Sequence, residues 1–186
     1  HRLFYNRLTD SYNALISPPL PSLPPGGANL YFPYAAVQRT TDKTFTANTA
    51  TQITFDQNDF LSACTNDGTD GIHVEVGGIY NYQFSVQFAN TAAAIYTAWI
   101  WLRINSVDVA GTASKFDVPT KHGSSDGYLI AACNFYVQLS PGDTIEMWAA
   151  VQDVSVYMDA AAAQTVPFAM PAVPSVVATL SFRSEE

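Results

Sequence analysis

Residues 77–88 read GGIYNYQFSVQF, and the parity of that stretch decides the fold. Tyr80, Tyr82, Phe84, Val86 and Phe88 fall on one side of an extended chain, and Asn81, Gln83, Ser85 and Gln87 on the other, which is the period-two signature of a half-buried strand. The second side carries amides and a hydroxyl where a strand facing bulk water more often displays lysine or glutamate. The same alternation turns Val176, Ala178, Leu180 and Phe182 inward on the last strand, and Ile145, Met147, Ala149 and Val151 inward beside Trp148. Strands are expected over residues 31–39, 51–55, 72–76, 79–88, 97–105, 107–110, 128–139, 144–151, 154–158 and 175–182. Short strands in this number, with no long helical pattern, predict an all-β antiparallel sandwich.

The joints between these runs have their own chemistry. Asn105-Ser106 reads as a tight reversal, Pro141-Gly142 pre-sets a turn between two strands, and residues 123–127 form a polar loop. Residues 159–164, DAAAAQ, are too short to stand as a helix, and Pro167, Pro171 and Pro174 follow, so the region reads as a loop. The strand AWIWLRI, residues 98–104, is apolar on both faces, which predicts cover on both sides, one by the core and one by a loop or a neighbouring subunit. Trp99 and Trp101 accordingly read as packing residues and not as a platform for stacking sugars.

The chain has 186 residues, 48% of them hydrophobic and only 13% charged, with a formal net charge of -8. A domain of this length buries enough surface to need no metal or disulfide staple. So little charge on so much apolar sequence predicts that uncharged surface is buried against other chains. The negative balance and the scatter of the eight Lys and Arg residues exclude a phosphate-binding surface, so nucleic acid is not an expected partner. Cys64 and Cys133 suit neither a disulfide framework nor a zinc site, and Cys133 shares a face with Phe135, Val137 and Leu139 as a small buried hydrophobe. No run reaches the length of a membrane span, and no apolar core of a signal peptide is visible, so neither a membrane partner nor general export is expected.

Residues 1–30 differ from the rest. Leu3, Phe4, Leu8, Tyr12, Leu15 and Ile16 recur close to i, i+4, i+8, as in a short amphipathic docking segment. The run PPLPSLPPGG, residues 18–27, is an extended polyproline spacer ended by a glycine hinge. The expected organisation is an arm over 1–30 and a β domain over 31–186.

Chemistry-bearing constellations are weak. His73-Val-Glu75 puts two potential metal ligands, or a base with its orienter, on one strand face, but no third partner is visible. His122-Gly-Ser-Ser-Asp126 holds His, Ser and Asp within one loop, whereas catalytic triads are assembled from distant segments. The acidic stretch at residues 66–70, NDGTD, lacks the spacing and closing glutamate of a calcium loop. Neither catalysis nor a cofactor is expected.

Four stretches in order, IHVEVGGIYNYQFSVQF, AWIWLRINSVDVAGT, NFYVQLSPGDTIEMW and PAVPSVVATLSF, resemble the complement C1q and tumour necrosis factor-like jelly rolls, above all those of bacteriophage virion proteins. Ser106 departs from the family pattern, which has glycine at that hairpin turn, and residues 160–171 are longer than usual. The resemblance implies a ten-stranded jelly roll that forms a homotrimer, with Gln83, Ser85, Tyr136 and Val177 at the contact between subunits. Neutral side chains suit such a contact, because like charges brought together on the axis repel. The resemblance further implies a structural protein on the outer surface of a virion. The short arm favours capsid decoration, residues 1–30 docking on the major capsid protein or another virion protein. The alternative is a tail-fibre or spike knob that recognises a host surface glycan through Trp or Tyr in its distal loops.

Overall fold

The structure, a computed structural model, describes residues 32–184. The expected docking segment, Leu3 through Ile16, lies outside the described residues. Thirteen strands follow one another among the described residues: β1 (Tyr34–Arg39), β2 (Thr51–Ile53), β3 (Gln57–Ser62), β4 (Cys64–Thr65), β5 (Ile72–Val74), β6 (Gly78–Asn90), β7 (Tyr96–Ile104), β8 (Val107–Asp108), β9 (Ser114–Val118), β10 (Gly127–Leu139), β11 (Thr144–Val151), β12 (Val156–Met158) and β13 (Val176–Ser184). Ten of these match the expected runs. The three others, β3, β4 and β9, are short; QNDFLS has no apolar parity, and the alternation of SKFDV spans only five residues.

All pairings are antiparallel. One sheet has the order β10-β6-β13-β1-β3, with β12 also on β6. The other runs β4-β5-β11-β7-β8, with β2 on β11 and β9 on β7. Because direct partners share a face, the registers fix which side chains meet. Tyr80, Tyr82, Phe84, Val86 and Phe88 of β6, with Val176, Ala178 and Leu180 of β13, close one wall of the core. Ile100 and Leu102 of β7, with Ile145, Met147, Ala149 and Val151 of β11, close the other. The parity read from the sequence is the parity of the core.

Two aromatic details anchor β6. The Tyr80 hydroxyl donates to the Val76 carbonyl at 2.6 Å, and its ring meets Phe182 edge-on at 5.4 Å. Burial, and next the nearby Cys64, push the Tyr80 hydroxyl up to about 12. Cys64 is buried and free, its thiol pushed up to about 11 by burial and by the Glu75 charge, which leaves it inert. Cys133 is half-buried against the core, its Sγ 3.4 Å from Ser114 Oγ.

The turns follow their residues. Asn105 and Ser106 both adopt positive φ, 50° and 66°, which makes the β7–β8 hairpin a type I′ turn even without glycine. Gly142 has φ 88° after Pro141, and Asp143 N donates to Ser140 O at 3.1 Å, the geometry of a type II turn. Beyond β12 the chain makes no helix. Isolated bridges Ala161↔Val173 and Gln164↔Met170 hold it as a narrow finger, with Val166 and Phe168 exposed near its tip.

Candidate functional site

The constellations that could carry chemistry come apart. His73 takes Asp70 and Thr144 as partners, with Asp70 Oδ1 3.2 Å from Nε2 and Thr144 Oγ1 2.7 Å from Nδ1. Glu75 is exposed and contributes only its backbone N–H, to Ala63 O. His122 meets Ser125 through backbone alone, and Asp126 accepts from the Tyr157 hydroxyl at 3.2 Å. In the 66–70 loop, Asp67 Oδ1 accepts from both the backbone N and Oγ1 of Thr69, so its carboxylate closes a local turn. Among the described residues no group of three or more His, Cys, Asp or Glu side chains could hold a metal ion.

The two sheets present contrasting outer faces. On the first sheet, the outward positions of β6 are Ile79, Asn81, Gln83, Ser85, Gln87 and Ala89. The β6–β10 register places Tyr128, Ile130, Ala132, Asn134, Tyr136 and Gln138 beside them. On the other flank of β6 lie Val177, Thr179 and Ser181, followed by Tyr34, Ala36 and Gln38 of β1. None of these positions is charged. The charges nearest this face are Asp126 and Asp159 beside Tyr128 at one end, Asp59 on β3, which accepts from Gln38 Nε2, and Arg183 in the bulge near the end of β13. Yet Tyr128, Ile130 and Tyr136 are 61%, 62% and 65% exposed. Gln83, Ser85 and Val177 line one hollow of about 200 Å³ together with Phe84 and Thr179. Tyr136, opposite Asn81, stands one outward row from Asn134, the partner of Gln83. The four residues singled out in the sequence therefore share one uncharged, solvent-facing surface.

The outer face of the second sheet is aromatic and polar. Trp99 and Trp101 are half-buried and lie on the side of β7 away from the core, the side for which a loop or a neighbouring subunit is the expected cover. The inward residues Ala98, Ile100 and Leu102 complete the core alone, so the tryptophans are free to occupy the solvent side. Trp148 of β11 sits directly opposite Trp101, and Glu146 opposite Arg103. The Arg103 guanidinium lies 3.9 Å from the Trp148 ring centre and 5.9 Å from that of Trp101, a cation–π arrangement. Asp108 Oδ1 accepts from Arg103 Nε at 2.6 Å and from Trp101 Nε1 at 2.8 Å. Those two donors hold the Asp108 carboxyl below its usual value. Glu146, buried, accepts from Trp148 Nε1 and from Ser106 N, each at 2.7 Å. The tryptophans thus belong to the middle of a sheet face and not to the distal loops. Their parity with Arg103 and Glu146 is visible in W-x-W-x-R and E-x-W, but the pairing that stacks them needs the β7–β11 register.

A third cluster lies where β6 ends and β10 begins. Tyr157 is opposite Ala89, and its hydroxyl is bonded to Asp126. Asp42 Oδ1 accepts from Ala160 N at 2.8 Å. Burial first, then the charges of Asp42 and Asp126, hold the Asp159 carboxyl above the ordinary carboxylate value.

No family model and no curated protein matches the chain. Among solved structures it is similar to the globular domain of zebrafish complement 1qA protein, at 14% identity, covering 83% of this chain and 99% of that one with a TM-score of 0.46. It is also similar to the tumour necrosis factor Eiger from S. frugiperda, at 9% identity, covering 84% of this chain and 95% of that one with a TM-score of 0.50. At these identities the likeness bears on fold alone. With two antiparallel sheets and no helix among the described residues, the domain is a jelly roll of the C1q and tumour necrosis factor type.

Proposed function

We propose that the chain is a structural protein of a bacteriophage virion, a homotrimer that decorates the capsid. The observation that carries the reading is the outer face of the β10-β6-β13-β1 surface, which exposes Tyr128, Ile130, Tyr136 and Val177 without a charged residue among them. An apolar surface of this kind is unfavourable in water and suits burial against identical copies, where neutral amides can pair across an axis and no like charges meet. The four sequence stretches that resemble phage jelly rolls support the same assembly. The likeness of the fold to a tumour necrosis factor supports the reading of a binding and structural part.

The described chain starts at one end of the sandwich, where Pro33 O accepts from Phe182 N, while the finger leaves from the other end, after Met158. Sedimentation of the full chain tests the assembly: a species near three times 20.2 kDa is expected, and a 20.2 kDa particle at all concentrations overturns it. Removal of residues 1–27 is expected to leave the trimer intact and abolish attachment to capsids; attachment that survives the truncation refutes the docking role.

A further inference from the structure

The chain has three tryptophans, and all of them stand on the solvent side of the second sheet. The core is complete without them, since Ile100, Leu102, Met147 and Ala149 fill the inner face of the same strands. Large indoles placed outside a finished core leave apolar ring area in contact with water, which a sheet surface of threonine or lysine avoids.

Their setting is built and not loose. Trp101 is tied through its indole N–H to Asp108, and Trp148 through its own to Glu146. Arg103 is fixed between them by its Nε bond to Asp108 and by stacking on Trp148. Several polar atoms remain uncommitted. Trp99 Nε1, Asp108 Oδ2 and both Nη atoms of Arg103 bond to no other described residue. Asp108 is well exposed, with 66% of its side chain in solvent. Next to Trp99, across the β7–β9 ladder, stands Lys115, and on the β11 side stands Ala150, which leaves the indole without a bulky neighbour on that flank.

Aromatic faces edged by a carboxylate oxygen and oriented N–H donors define a narrow class of ligand. The apolar C–H face of a pyranose stacks on an indole, while neighbouring hydroxyls donate to a carboxylate and accept from a guanidinium. An apolar peptide would cover Asp108 Oδ2 and the Arg103 Nη atoms without pairing them, which is unfavourable for charged groups. A nucleic-acid strand would stack equally well, but its phosphates need cationic neutralisation, and the chain carries a net charge of -8. At the face itself Asp108 and Glu146 balance Arg103 and Lys115, so it carries no excess cation to hold an anionic sugar. We propose that the Trp99–Trp101 face of the second sheet, edged by Asp108 and Arg103, binds a neutral saccharide through the flat face of a pyranose ring. The site lies on the opposite sheet from the uncharged face and depends neither on the trimer nor on attachment to a shell.

Intrinsic fluorescence reads this face alone, because no other tryptophan exists in the chain. The full chain is titrated with cellotetraose, maltotetraose, chitotetraose and mannotetraose, with tetragalacturonate as the anionic comparison. Expected is a saturable emission change with one or more of the neutral probes at or below about 10 mM, weakened about tenfold or more by Trp99→Ala and by Asp108→Asn. Trp99→Phe, which keeps a ring and guards against a folding defect, is expected to retain part of the affinity. Gln83→Ala on the opposite sheet is expected to leave binding unchanged. The proposal is overturned by no saturable change with any neutral probe, by stronger binding of tetragalacturonate, or by binding that survives Trp99→Ala. It is equally overturned if emission follows protein concentration, or removal of residues 1–31, in place of added saccharide, since the face would then be covered by a second copy or by this chain's own arm.

Discussion

Val177 stands directly opposite Ser85 across the β13–β6 ladder, and both side chains open onto the same uncharged hollow as Gln83. A charge introduced there has little effect on an isolated subunit, because the hollow faces solvent. In a trimer closed through this face it is repeated three times around the axis, desolvated and unpaired. Ser85→Glu is therefore expected to shift the sedimenting species from trimer to 20.2 kDa monomer while the far-ultraviolet circular dichroism spectrum is retained. A Ser85→Glu chain that remains trimeric at micromolar concentration places the subunit contact elsewhere.

Tyr82 illustrates an expense inside the core. Its ring is fully buried on β6, and its hydroxyl has no hydrogen-bond partner among the described residues. Burial holds that hydroxyl far above its usual value, so it stays neutral at every working pH. A buried, unpaired hydroxyl costs about 1–3 kcal/mol, and phenylalanine keeps the ring while removing the polar atom. Tyr82→Phe is expected to stabilise the domain by about 1 kcal/mol, seen as a higher urea midpoint at unchanged slope. A loss of stability would mean that the hydroxyl has a partner after all.

The β7–β8 turn places a non-glycine residue at Ser106 with φ 66°. Left-handed backbone costs an ordinary L-residue about 1 kcal/mol, which glycine avoids. The Ser106 backbone N–H, and not its side chain, makes the shorter bond to Glu146, 2.7 Å against 3.3 Å. Ser106→Gly keeps that backbone bond, and a net gain of about 0.5 kcal/mol in chemical denaturation is expected. A loss larger than that would show that the Ser106 hydroxyl matters more to Glu146 than its geometry indicates.

Local rules made most of the fold legible. Alternation in β6, β11 and β13 named the inward residues correctly, because a strand with one face on a core must keep period two. Asn105-Ser106 and Pro141-Gly142 were readable as turns for the same local reason. The strands missed, β3, β4 and β9, are short and pair at sheet margins; QNDFLS has no apolar parity to find, and the alternation of SKFDV spans only five residues. The outer aromatic face needs more than alternation. Trp99 and Trp101 look like core residues in any hydropathy reading, and only the pairing of Trp101 with Trp148 and the reach of Asp108 across the hairpin show that they sit outside. The placement of Gln83, Ser85, Tyr136 and Val177 on one surface was implied by resemblance, and it required the β6–β10 and β6–β13 registers to become geometry.

Asp159 gives the domain a pH dependence with a definite sign. Burial, followed by the charges of Asp42 and Asp126, raises its folded-state value above the ordinary 3.8. Between those two values the native state binds more protons than the unfolded chain, so stability falls as pH rises through the window. The favourable contribution is complete below the unfolded value and gone above the folded one, which makes the ionised carboxylate a liability at neutral pH. Asp159→Asn is expected to raise the thermal midpoint at about pH 7 and to have no effect at about pH 3. Asp153 supplies the opposite case: its carboxylate accepts from Ser155 N at 2.9 Å, and that bond holds its value below the ordinary one. Its contribution is present at neutral pH and fades on acidification, so Asp153→Asn is expected to lower the midpoint at about pH 7. Shifts of the same sign in the two variants would show that net charge, and not the environment of each carboxylate, governs the response.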